Sequence, residues 1–327
     1  MHEIGLSLTH ANIEKIYFVH GTFTGDDPLG LLSLMKLGKI SRRLDRKVRR
    51  AIKLSTDKVM KDVANFSQRY VELAEQALEI PCSSFTWSST NHHYARVKAA
   101  VNLISHLIED PSVRGKPPGS KVLLVGHSHA GQVFAIFSRL LNQRDHESLI
   151  GFIGQHLQPL DRLEHEISIL RSYKFLYTTL GTPPRYSWGH NPGELLQIVN
   201  HTQTDLTMPG LVGITRTSHG DYVQKFAQPG SDTAATVSPK EKELNKYLDE
   251  ILGVGLSKEL ALANIRQPER PLGEGFTLLV NFQEQNKLPK VYPLASVLGH
   301  GVYTRLEWMF LIFSLISERF TPKQEPE

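Results

Sequence analysis

Apolar positions along this chain follow two rhythms. Short, nearly continuous apolar runs that stop at glycine or a turn predict strands. They are "KIYFVHG" at Lys15–Gly21, "SSFTWSS" at Ser83–Ser89, "KVLLVGH" at Lys121–His127, "YKFLYTTLG" at Tyr173–Gly181 and "GFTLLVNF" at Gly275–Phe282. Between them, apolar residues three and four apart predict helices. In "YARVKAAVNLISHLIED" the stripe is Val97, Ala100, Val101, Ile104 and Leu107; in "QVFAIFSRLLNQ" it is Val133, Phe134, Ile136, Phe137, Leu140 and Leu141. "PKEKELNKYLDEIL" has Pro239 near its start, as a helix should, and "YTRLEWMFLIFSLISERF" reads as a terminal helix. Two segments are ambiguous. "NPGELLQIVN" has strand-like residues, but Pro192, Gly193 and Glu194 suit a helix start; "DYVQKFAQPGSD" reads as a short strand ending in a turn.

Strands alternating with helices predict an α/β fold with a mostly parallel central sheet flanked by helices. Runs such as "VLLV" and "TLLV" fit strands covered on both faces. The chain reads as one domain over residues 1–327, with a helical insertion at about 28–80. Within it, Lys36 to Lys61 carries eleven Lys or Arg against two Asp, and Leu37, Ile40, Leu44, Val48, Ala51 and Ile52 recur at helical spacing. Such a basic amphipathic helix fits a solvated cap, or peripheral contact with an anionic membrane surface.

Composition narrows the classes. A net charge of +4 is not a nucleic-acid signature, and no nucleic-acid partner is expected. The single cysteine, Cys82, excludes an intramolecular disulfide framework and a cysteine-rich zinc site. The N-terminus has neither a basic n-region nor a long apolar core, and "WMFLIFSLI" is only nine residues long. The expectation is a cytoplasmic protein without a signal peptide or membrane span, although delivery by a dedicated secretion apparatus would leave the same sequence.

The chemistry gathers around "KVLLVGHSHAG", Lys121–Gly131. Gly126-His127-Ser128-His129-Ala130 fits G-x-S-x-G with alanine last. By chance such a pattern arises about 0.2 times in a chain this long, so the motif alone is weak. An apolar strand directly before it and an apolar helix directly after it are the context of a nucleophile elbow. There Ser128 sits at a strained apex, with Gly126, Ala130 and Gly131 small enough to let the turn close. A serine hydroxyl also needs a base and an oxyanion hole. The helix N-terminus offers the His129 amide, and "FVHGTFTGDD" offers the amide of Thr22 or Phe23. Gly21 would let that backbone approach the substrate. His20, Gly21, Trp87 and His127 are the expected substrate-binding residues.

His300, between glycines after the last strand, is the expected base, since the chain order Ser, Asp, His requires it late. His127 and His129 adjoin the serine and cannot easily turn their rings back onto its hydroxyl. For the acid, Asp232 is preferred, with Asp205 and Asp221 as alternatives; a helical "NPGELLQIVN" would weigh against Asp205.

These residues resemble the α/β-hydrolase superfamily, in its lipase/esterase-like branch. The resemblance rests on "VHGTFTG", "LLVGHSHAG", "TLGTPP" and "GHGVYT", from Phe18 to about Thr304. "FTWSSTNHHYAR" is similar to a segment of bacterial serine hydrolases of this branch, in which Trp87, Ser88, Asn91 and Arg96 would sit beside the site. The resemblance implies an α/β-hydrolase fold with Ser128 as nucleophile, His300 as base and one aspartate orienting the imidazole. Alanine at 130 in place of glycine and the long basic segment depart from the pattern.

The expected activity is hydrolysis of carboxylic esters through an acyl-enzyme, without metal or organic cofactor, on a small-molecule or lipid ester. A binding protein that keeps the fold without catalysis, and an acyltransferase using the same triad, remain open alternatives.

Overall fold

Six short strands carry the architecture. In the computed structural model, which describes residues 1–21, 25–26, 47–54, 63–142, 146–189, 194–202, 220–227, 238–254, 269–270, 272–282 and 299–321, they are β1 (Ile13–Val19), β2 (Cys82–Phe85), β3 (Lys121–His127), β4 (Lys174–Leu180), β5 (Leu195–Asn200) and β6 (Phe276–Val280). All pairings are parallel, and the order across the sheet is β2-β1-β3-β4-β5-β6. The chain runs from β1 outward to β2, then returns to the other side of β1 and continues in one direction. The carboxyl ends of β1 and β3 therefore flank the point where connections diverge, the place where an open α/β sheet forms a crevice.

Strand alternation divides the core into two layers. Tyr17, Val19, Leu124 and Tyr177 face one side, against helices His93–Glu109, Ala130–Asn142, Leu160–Leu170 and Pro239–Leu252. Ile16, Phe18, Leu123, Val125 and Ile198 face the other, against His2–His10, Gln68–Leu78 and Met309–Phe320. Both faces are thus covered, as continuous apolar strands require.

Several expectations change. "LLQIVN" is strand β5, buried at every position, because pairing with both β4 and β6 outweighs the helix-start signal of Pro192-Gly193-Glu194. "DYVQKFA" is not a strand but the helix Tyr222–Ala227. Asp221 precedes it and accepts the Gln224 amide at 2.8 Å, which starts the helix. The run "TLLV" lies in β6, which pairs only with β5 among the described residues and leaves Phe276 and Leu279 about half exposed. The terminal helix begins at Met309 after a single turn at Leu306–Trp308. Tyr303 and Thr304 are engaged elsewhere, Thr304 Oγ1 accepting the Asn65 amide at 3.1 Å. Helices His2–His10, His146–His156 and Leu160–Leu170 had no counterpart in the sequence reading.

Of the expected insertion at 28–80, residues 47–54 are helical. Helix Gln68–Leu78 belongs to the core, burying Tyr70, Val71, Ala74 and Leu78. Residues 27–46 and 55–62 lie outside the described residues. Among the described residues no helix is long and apolar enough to cross a membrane.

Candidate active site

Ser128 stands at the end of β3 with φ of 56°, a left-handed conformation that L-residues avoid. Its neighbours explain how the turn persists. The Ser128 amide donates to Leu180 O at 2.8 Å, and Thr182 Oγ1 donates to Ser128 O at 2.6 Å, so the end of β4 grips the apex from both sides. The small residues around it are required by contact. A Cβ on Gly126 would lie 2.5 Å from the Phe134 ring, and one on Gly131 would lie 2.3 Å from Thr182 Oγ1. Ala130 begins the buried helix Ala130–Asn142, whose first turn adjoins the His129 amide.

Gly21, at the end of β1, comes against the serine itself: a Cβ there would be 2.6 Å from Ser128 Cβ. Thr22 and Phe23, the expected amide donors, lie outside the described residues. His20 is nearly fully buried and acts on its own loop. Its Nδ1 donates to Gly21 O at 3.0 Å, and its Nε2 accepts the Trp87 amide at 3.3 Å. Trp87 returns a bond from Nε1 to His20 O at 2.8 Å and stacks on the ring. Burial, then the charge of Lys53, lowers the His20 pKa to about 3, which agrees with a ring whose partners suit only the neutral tautomer. His20 and Trp87, expected to touch substrate, thus brace the loop after β1. Behind Trp87 lies a polar cavity of about 230 Å³, which also meets Ser88, Thr90, Arg49 and Lys98.

His300 and Asp221 meet across the carboxyl end of the sheet. His300 Nδ1 lies 2.7 Å from Asp221 Oδ2, both side chains buried. Of the three candidate acids this is Asp221; Asp232, preferred from sequence, and Asp205 lie outside the described residues. The preference passes to Asp221 on this contact. Burial alone would raise its pKa, yet facing His300, with Arg270 nearby and the Gln224 amide on Oδ1, holds the carboxyl below its ordinary value. His127, expected among the substrate-binding residues, is a buried strut: its Nε2 donates to His300 O at 2.9 Å, and the rings lie 4.6 Å apart. Burial, then the neighbouring His300, lowers its pKa to about 3.

No protein-family model, curated protein or solved structure matches this chain. Its site must be read from its own geometry.

In that geometry the Ser128 hydroxyl lies 3.3 Å from His129 Nδ1, and among the described residues His300 Nε2 makes no hydrogen bond. Burial, then the charge of Arg96, holds the His129 ring well below its usual pKa, so the ring is neutral and its Nδ1 can accept a hydrogen bond from the serine hydroxyl while being a poor base. Arg96 is fully buried, bonded to Asn91 Oδ1 and, at 3.0 Å, to Tyr186 Oη.

Sequence reasoning missed the scaffold around Asp221. Gly220 and Gly299 precede Asp221 and His300, with φ of 85° and 80°, and a Cβ on Gly299 would sit 2.3 Å from Gly220 O. Asn200 ties the pieces together, its carbonyl accepting the Asp221 amide at 2.9 Å and its Nδ2 donating to Gly299 O at 3.0 Å. A glycine directly before both the acid and the base was the available signal. Among the described residues no cluster of side chains suits a metal ion.

Proposed function

We propose that this chain is a serine hydrolase of the α/β-hydrolase type, cleaving carboxylic esters through an acyl-enzyme. The observation that carries the reading is the pairing of a left-handed Ser128 at a strand-to-helix turn with a buried His300–Asp221 couple, in the chain order serine, acid, histidine. Ser128 Oγ attacks the ester carbonyl while His300 Nε2 takes its proton. Asp221, held ionised, stabilises the imidazolium that forms. The leaving alcohol departs with that proton, and water then attacks the acyl-serine with His300 again as base, restoring the serine and releasing the acid. The His129 amide, beside the first turn of the helix that follows Ser128, is the donor for the developing oxyanion in this reading.

The reaction requires the Ser128 hydroxyl to leave His129 Nδ1 and engage His300 Nε2. Catalytic hydrogen bonds often form only when substrate is bound. One observation favours a second reading, a binding module on the same fold: the serine rests on His129 rather than on the base. Labelling with a fluorophosphonate separates the two. Hydrolase chemistry predicts labelling of the wild type, none of Ser128→Ala, and a fall of at least about 10³-fold in rate for His300→Ala. Absence of wild-type labelling, or labelling that persists in Ser128→Ala, leaves the binding module. Transfer to an added alcohol or thiol acceptor in place of water would make the enzyme an acyltransferase with the same triad.

A further inference from the structure

The Asp221 carboxylate receives a donor that the triad does not need. Tyr303 Oη donates to Asp221 Oδ2 at 2.7 Å, the same oxygen that meets His300 Nδ1 at the same distance. The phenol is fully buried and in turn accepts the Asn200 amide at 2.8 Å. Its ring is held edge-on by Phe282 at 5.3 Å and lies 86° from the plane of His300.

The chain makes room for this contact at a cost. Gly181, the glycine of "TLGTPP", has φ of 63°, and a Cβ there would be 2.5 Å from Tyr303 Cε2 and 2.6 Å from Asp221 Oδ2. Burial and the Asp221 charge raise the Tyr303 pKa well above its usual value, so the phenol stays a donor. Among the described residues, the couple also faces His127 and His129 from the elbow, the Gln224 amide on Asp221 Oδ1, and Arg270, whose Nη1 donates to Asp221 O at 2.6 Å.

We infer that Tyr303 is a positioning residue that sets the strength of the His300–Asp221 hydrogen bond by competing for Oδ2. This rests on the hydrolase reading for its meaning in catalysis, but the bond itself can be observed without turnover. Two donors on one oxygen divide its electron density. The Tyr303 bond fixes the carboxylate's rotation and makes Oδ2 a weaker partner for the imidazole than it would otherwise be.

The test is proton NMR of the full chain, following the hydrogen-bonded His300 Nδ1 proton, assigned by its loss in His300→Gln. Tyr303→Phe keeps the ring and removes the competing donor. The Nδ1 resonance should move downfield as the bond to Oδ2 strengthens, while the fluorophosphonate rate should drop by about tenfold because the carboxylate's rotation is no longer fixed, the worth of one hydrogen bond to a charged group. A fluorotyrosine at position 303, a stronger donor of the same shape, should move the resonance upfield, and it serves alone if Tyr303→Phe fails to fold. A resonance that stays in place in the fluorotyrosine protein, or moves the same way in both, overturns the inference. Opposite movements in a protein that no fluorophosphonate labels would uphold the competition at Oδ2 while the hydrolase reading falls.

Discussion

Ser128 carries a backbone conformation that costs an L-residue about 1–2 kcal/mol. Its amide and carbonyl are both bonded to the end of β4, so the strain cannot relax without breaking those contacts. Gly181 is the residue on which the opposite side of the site depends. In Gly181→Ala the new methyl group must share space with the Tyr303 ring and Asp221 Oδ2, and alanine must adopt φ of 63°. We expect fluorophosphonate labelling to fall about 100-fold or more, as a displacement near 1 Å at a catalytic group does. Labelling at the wild-type rate in a folded Gly181→Ala protein would remove the couple from the mechanism.

At the scale of elements, the elbow closes because Gly126 and Gly131 leave room for the Phe134, Thr179 and Thr182 side chains between β3, the helix Ala130–Asn142 and the end of β4. Gly131→Ala sets two effects against each other. Alanine improves helix propensity by about 1 kcal/mol, whereas its Cβ would come within 2.3 Å of Thr182 Oγ1 and 2.9 Å of Thr179 Cγ2. Overpacking of this kind costs about 1–3 kcal/mol, and Thr182 also holds the Ser128 carbonyl. The expected outcome is a net loss of stability with slower labelling, read by urea denaturation and probe kinetics on one preparation. A more stable Gly131→Ala protein would mean that the helix can shift away. The elements that the sequence left ambiguous or pointed the other way have reasons of the same kind. β5 is a strand because two neighbours complete its hydrogen bonds, and Tyr222–Ala227 is a helix because Asp221 starts it.

Across the whole molecule, Gly21 and Ser128 meet at the carboxyl ends of the neighbouring strands β1 and β3, and Asp221 and His300 come to the same end of the sheet. This arrangement buries neutral histidines, which makes stability depend on pH. His20 and His127 titrate near 3 in the folded chain against about 6.5 unfolded. As pH falls below about 6.5 the unfolded chain takes up protons that the folded chain refuses. Their contribution is therefore complete above that pH and is lost progressively toward 3, at up to about 1.4 kcal/mol per pH unit for each ring. Asp221, depressed in the fold, adds a loss of the same sign below about 4. Urea midpoints should fall steadily from pH 7 to 5, and less steeply in His20→Gln. Midpoints unchanged over that range would contradict neutral burial.

Local pattern alone determined the α/β class, five of the six strands, the elbow serine and the glycine-flanked histidine. These are legible because strand and helix periods, turn glycines and the elbow are properties of a few consecutive residues. The carboxylate that meets His300 was not legible in the same way. Asp205, Asp221 and Asp232 all read as turn aspartates, and nothing local ranks Asp221 first. Its selection is a matter of long-range contact, in which Asn200, Gly220, Gly299, Tyr303 and Arg270 come from separate parts of the chain to hold one carboxylate. The roles of His20 and His127 were hidden for the same reason. Each sits in a motif that points to substrate, and only the packed sheet shows both His20 nitrogens and His127 Nε2 bonded to backbone groups.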